Sequence, residues 1–248
     1  MKIALFIPCL VNHMQPNVGI ATVELLEKLG HQVILPEGQT CCGQPMTNSG
    51  CFEDAKKTTL KLLNAFKGID CDYIVCPAAS CMIAAKENFH EFDCSPEATA
   101  VIGKLKELTE FLHDIHGLER FNKPFNHKIS LQMSCHGIRM LDLATPSEIK
   151  GSGRYNKVEA LLSRIEGIDI VYPERQDECC GFGGTFALDE GAVSGKMGKD
   201  KAQAHANTGA RYVVGFDPSC LLHLDGVIRR EGHPVETLHI AELLNQAL

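Results

Sequence analysis

The chain lacks a basic excess, a long apolar run and the common nucleotide-binding and hydrolase fingerprints. Its 248 residues carry 24 Lys and Arg against 31 Asp and Glu, a formal net charge of −7. Sequence-independent nucleic-acid binding needs a basic face, so that class is excluded. No apolar stretch approaches the ~20 residues that span a bilayer. The short run Ile3–Ile7 after Met1-Lys2 resembles a signal peptide, but no small-x-small cleavage site follows, and Pro8, Asn12 and His13 interrupt it. A second copy of the segment lies mid-chain, where no signal acts. It therefore reads as a first β-strand, and the protein as soluble and cytoplasmic. P-loop, nucleophile-elbow and H-E-x-x-H patterns are all missing, and Gly181-Phe-Gly-Gly184 does not have the spacing of a dinucleotide fingerprint.

Cysteine is in excess. The chain has 12, with 44% hydrophobic and 22% charged residues overall. That composition is globular, which excludes wholesale disorder, and the length does not need disulfides to make a core. In a reducing compartment, clustered cysteines more often bind metal or do redox chemistry than form disulfides.

The chain also repeats itself. Lys2-Ile-Ala-Leu-Phe-Ile-Pro-Cys9 matches Lys128-Ile-Ser-Leu-Gln-Met-Ser-Cys135. Pro36-Glu-Gly-Gln-Thr-Cys-Cys-Gly43 matches Pro173-Glu-Arg-Gln-Asp-Glu-Cys-Cys-Gly181 with one residue inserted. Tyr73-Ile-Val with Cys81 matches Tyr212-Val-Val with Cys220. Each half alternates strand and helix. Strands are expected at Lys2–Ile7, Gln32–Leu35 and Tyr73–Val75, and again at Lys128–Met133, Asp169–Tyr172 and Tyr212–Phe216. Helical spacing marks Ile20–Leu29, Glu53–Phe66, Lys157–Ile165 and, against three glycines, Val193–Asn207. Helical tails, Leu105–Ile115 and Leu238–Leu248, are expected to close the halves. The linker falls in Gly117–His127, which divides the chain into residues 1–120 and 121–248. Strand–helix alternation implies an α/β fold with parallel sheets and right-handed crossovers.

Four cysteines per half follow strands: Cys9, Cys41, Cys42 and Cys81, then Cys135, Cys179, Cys180 and Cys220. Loops at the carboxyl ends of parallel strands converge on one edge, so each quartet is expected to meet in space. Three chemistries suit four thiols. An iron–sulfur cluster spreads them over several irons, which relieves the geometry of a vicinal Cys-Cys pair. A single Zn2+ in one or both sites would make a structural or scaffold protein. A thiol–disulfide redox site would use the sulfurs themselves. Gly43 and the run Gly181-Phe-Gly-Gly184 let backbone N–H donors approach the sulfurs. Cys51, Cys71, Cys76 and Cys94 have no counterpart in the other half and read as ordinary thiols, with Cys76 near enough to Cys81 to supply an extra ligand.

The spacing of a cysteine, Cys-Cys-Gly and a terminal Cys, twice over, resembles the cysteine-rich CCG-domain family. That family includes the cysteine-rich subunit of heterodisulfide reductase and the iron–sulfur subunits of glycolate oxidase and anaerobic glycerol-3-phosphate dehydrogenase. Cys41-Cys-Gly-Gln-Pro45, Cys179-Cys-Gly-Phe-Gly-Gly-Thr-Phe186 and Asp217-Pro-Ser-Cys220 are most similar to its lactate-utilization branch. The resemblance implies two tandem, pseudo-symmetric Rossmann-like halves with one cluster in each, held by the eight matched cysteines. It implies an electron-transfer subunit of an L-lactate oxidation complex, not catalytic alone, with a ferredoxin-like iron–sulfur subunit and a third small subunit as partners. The heterodisulfide reductase member ends each motif with C-x-x-C; here those positions are Ala78 and Asp217. Four thiols then suit an ordinary [4Fe–4S] cluster, and Asp217 in Asp-Pro-Ser suits a turn.

Overall fold

The computed structural model describes residues 1–151 and 153–248. The first repeat runs β1 (Lys2–Leu5), α1 (Cys9–Met14), α2 (Pro16–Lys28), β2 (Gln32–Ile34), α3 (Gln44–Asn48), α4 (Phe52–Phe66), β3 (Tyr73–Cys76), α5 (Ala79–Phe92), α6 (Pro96–Lys104), β4 (Leu105–Glu107) and α7 (Leu108–Glu110). Helix α7 continues as a π-type segment, Phe111–His116. The second repeat runs β5 (Lys128–Gln132), α8 (Cys135–Met140), α9 (Lys157–Leu162), β6 (Asp169–Val171), α10 (Phe186–Asp189), α11 (Gly191–Ala206), β7 (Tyr212–Gly215), α12 (Pro218–Glu231), β8 (Glu236–His239) and α13 (Ile240–Ala247). Gly117–His127 is irregular.

The strands form two four-stranded sheets, ordered β2-β1-β3-β4 and β6-β5-β7-β8, with every pair parallel. All six expected strands are present. Both expected helical tails need correction at their starts, because each opens on a strand. Leu105 pairs with Ile74, and Glu236 pairs with Tyr212, before the chain turns helical. Neither Leu-Lys-Glu nor Glu-Thr-Leu-His carries a strong strand pattern; the exposed edge of the neighbouring strand imposes it.

Helices α5 and α12 were not expected. The Asp217-Pro218 pair that suits a turn is also a helix start. Asp217 caps α12 by accepting the N–H of Ser219, and Pro218 stands at the first turn, where its missing N–H costs nothing. Helix α11 forms despite its glycines. Gly191 opens it, and Gly198 sits where α11 crosses α12, so close that an added Cβ would lie 2.5 Å from His223 Nε2.

The repeats interlock. Helix α13, the last element of the second repeat, packs on α2 of the first, where Lys28 Nζ donates to the Asn245 carbonyl and Asn245 Nδ2 to Glu24. In the same way α7, at the end of the first repeat, packs on α9 of the second, with Lys157 paired to Asp114 just beyond. Each repeat thus lends its closing helix to the other. One apolar core runs through both, joining Leu25, Leu26 and Phe111 to Leu161, Leu162 and Leu243. Among the described residues, no helix is long and apolar enough to cross a membrane.

A candidate metal centre lined by eight cysteines

Four helices deliver thiols to the seam between the repeats. Cys9 and Cys135 are the first residues of α1 and α8; Cys81 and Cys220 lie in the first turns of α5 and α12. Helix α5 packs on α8 and α1 on α12, so the two sets face each other across the seam. Cys41-Cys42 and Cys179-Cys180 come from the loops after β2 and β6. The two quartets, expected as separate sites, line one cavity of about 410 Å3.

The quartets match position by position. Cys42, Cys81, Cys180 and Cys220 are buried, and Cys9, Cys41, Cys135 and Cys179 are half-buried. In each repeat the neighbouring thiols favour the thiolate form of the first member of the vicinal pair. Hydrogen bonds from Cys42 and Cys9 hold Cys41 well below the usual thiol range, and bonds from Cys135 and Cys180 do the same for Cys179. Their donors Cys9, Cys42, Cys135 and Cys180 are pushed up in turn. Cys180 Sγ donates to Cys220 Sγ at 3.1 Å, and the two are not joined in a disulfide. Among the described residues, no three His, Cys, Asp or Glu side chains close to the spacing of a single metal ion.

Backbone donors reach both thiolates. Gly43 N–H points to Cys41 Sγ at 3.5 Å, and Gly181 N–H to Cys179 Sγ at 3.4 Å. Both glycines have φ of +90°, which other residues rarely adopt. An added Cβ would lie 2.5 Å from Thr59 Oγ1 at Gly43 and 2.7 Å from the Ser194 carbonyl at Gly181. We expect Gly181→Ala to lose about 1–3 kcal/mol from overlap alone. Gly195→Ala, on an open helical surface, should gain about 0.5–1 kcal/mol. Urea midpoints of the two variants at unchanged m check the pair.

Asp217 holds the seam together. It is buried, caps its own helix, and accepts the Ser80 N–H of α5 in the other repeat at 2.9 Å and the Ser80 hydroxyl at 3.1 Å. Its oxygens are thus engaged by two helix N-termini, the structural role that Asp-Pro-Ser suggested. The signal for this bridge was the serine before the last cysteine in both repeats, Ser80 and Ser219. His136 also lines the cavity, with Nδ1 3.6 Å from Cys135 Sγ. The four unmatched cysteines stay out of it: Cys71 and Cys76 are buried in the first repeat's core, while Cys51 and Cys94 are exposed. Cys76 is held within that core, its thiol 3.5 Å from the Ala78 carbonyl.

A family model described as a CCG cysteine-rich domain matches residues 3–86 and 129–225. Among curated relatives, lactate utilization protein A of Bacillus subtilis is 38% identical over 99% of this chain and 99% of its own. The protein of the same name from Oceanobacillus iheyensis is 38% identical over 99% of this chain and 97% of its own. Among solved structures, a hypothetical protein from Helicobacter pylori has a TM-score of 0.68 at 12% identity. It covers 99% of this chain, which spans about half (48%) of that one, and the likeness is one of fold.

Proposed function

The chain belongs to the cysteine-rich CCG-domain family, and from that premise we propose that it is the iron–sulfur electron-transfer subunit of a lactate-oxidising system. The observation that carries the proposal is the meeting of two position-matched thiol quartets in one cavity. Cys9, Cys41, Cys42 and Cys81 would hold one cluster, and Cys135, Cys179, Cys180 and Cys220 the other. The donor set fits such a group: four sulfurs per repeat, a thiolate in each already favoured by its neighbours, and glycine N–H donors aimed at sulfur. When bound, the clusters supply one-electron storage. The chain's residues supply ligation, burial and hydrogen bonds, which set the potential.

Lactate comes to this reading from the names of the relatives. The chain has no recognisable flavin or nicotinamide motif, so hydride abstraction belongs to another component. The partners that fit are a ferredoxin-like iron–sulfur subunit and a third small subunit. A thiol–disulfide redox protein is the reading favoured by the close Cys180–Cys220 approach; a zinc scaffold is the third.

Anaerobic purification, followed by iron, sulfide and zinc analysis and EPR of the reduced protein, separates the three. The proposal expects about four irons and four sulfides per repeat, as a four-thiolate cubane requires. Stoichiometric zinc without sulfide would establish the scaffold. A reversible disulfide with neither metal would establish the thiol protein. Lactate oxidation by the isolated subunit at a useful rate would overturn the electron-transfer role.

A further inference from the structure

The two repeats match closely enough for their differences to be compared position by position. The buried residues of α4 are Ala55, Thr59, Leu62, Leu63 and Phe66; those of α11 are Ser194, Gly198, Lys201, Ala202 and His205. The two sets coincide at a constant offset. Lys201 therefore stands where the first repeat has Leu62, and His205 where it has Phe66. The strand beside them differs in the same sense. In the first repeat Phe6 stacks edge-on with Phe66 at 5.9 Å. In the second, Gln132 and Ser130 each sit 2.8 Å from the His205 ring nitrogens.

Lys201 is fully buried. Its ammonium donates to the carbonyls of Arg175 at 2.7 Å and Gln176 at 2.9 Å, on the loop that leads into Cys179-Cys180. Ala202, next to Lys201 on α11, packs in one buried cluster with Cys180 and Cys220. Burial pulls the Lys201 pKa down to about 8, which leaves it charged at neutral pH. The cavity rim repeats the asymmetry. His136 of the second repeat stands opposite Leu10 of the first, and Glu87 of the first lines the cavity where the second has Gly226. Two acids, Glu178 and Asp177, face the ammonium as well. Glu178 is also paired with Arg175 at 2.9 Å, Asp177 also accepts the Ser147 N–H, and Asp217 takes N–H groups from both repeats.

A buried cation stabilises whichever cluster state is more negative, and in a low-dielectric interior the effect is strong. We propose that the cluster of the second repeat has the higher reduction potential, that Lys201 sets it there, and that the pair passes electrons from the first repeat to the second. In that step the first cluster is oxidised by one electron and the second is reduced by the same electron; no bond or proton moves. The inference rests on the iron–sulfur reading of the two quartets.

EPR-monitored redox titration tests it. Cys180→Ser isolates the first centre and Cys42→Ser the second, and the second should titrate at the higher potential. Lys201→Gln keeps a donor for the loop carbonyls but removes the charge. It should shift the second centre's electron-binding equilibrium against reduction by about tenfold, about 59 mV for a one-electron couple. Lys201→Arg, which keeps the charge, should leave it in place, and the first centre should not move in either variant. Equal or reversed potentials in the two isolated centres, or an unshifted second centre in Lys201→Gln, would overturn the inference while leaving the clusters. If Lys201→Gln fails to fold, the comparison of the two isolated centres decides. Wild-type protein without iron and sulfide would overturn the underlying reading, and this inference with it.

Discussion

Cys42→Ser, purified without oxygen, should keep about half the wild-type iron and sulfide, and so should Cys180→Ser; the double variant should keep almost none. Cys94→Ser should match wild type. The physical reason is that the proposed ligands separate by repeat. Cys42 bonds within its own quartet, to Cys41 and Cys81, and Cys180 within its own, to Cys179 and Cys220. Serine is a poor replacement for a thiolate on iron, and three remaining sulfurs leave one iron open to solvent. Cys94 is exposed and its thiol faces only the His90 carbonyl, so its loss touches no cluster. Metal and sulfide analysis per folded chain is the measurement. Equal loss from all three single variants would sink the ligand assignment.

The second large effect concerns the repeats themselves. Residues 1–120 expressed alone should show no cooperative unfolding transition, nor should residues 121–248; co-expressed, they should associate and regain one. The expectation follows from the exchanged closing helices and the continuous core. A fully buried Leu or Phe is worth about 1.5–3 kcal/mol. Re-exposing three or four of them would remove much of the roughly 5–15 kcal/mol that a domain commands. Urea denaturation followed by circular dichroism decides the matter. A sharp transition from either fragment alone would mean that the shared core is dispensable.

The sequence showed the parts of the fold that are local or repeated. Lys2–Leu5 and Lys128–Gln132 read as strands because each carries a β-rich run ending near a cysteine. The eight matched cysteines were legible because the duplication marks them and leaves Cys51, Cys71, Cys76 and Cys94 unmarked. Helix Gly191–Ala206 was the least legible of the expected helices, because its buried face is Ser194, Gly198, Lys201, Ala202 and His205 and carries almost no apolar spacing.

What was not legible depends on contacts across the seam. β4 and β8 are strands only because β3 and β7 offer them an edge. The exchange of α7 and α13 involves surfaces far apart in sequence, 43 residues for Asp114 with Lys157 and 217 for Lys28 with Asn245. The merging of two expected sites into one cavity follows from α5 packing on α8 and α1 on α12. Periodicity along the chain carries no trace of either. The replacement of Leu62 and Phe66 by Lys201 and His205 was present in the sequence, but it became readable only once the buried faces of α4 and α11 could be aligned.

The exchanged closing helices bear on symmetry. Two separate copies of one such repeat could bury the same surfaces only as a swapped homodimer, with a twofold axis through the cavity. A homodimer of that kind must present identical halves, because any substitution appears on both sides of the axis at once. Joining the copies through Gly117–His127 keeps the dimer's geometry while releasing its sides from each other. A buried lysine can then sit on one side of the axis and a leucine on the other. A difference between two position-matched sites is something the fused chain can encode and a homodimer cannot.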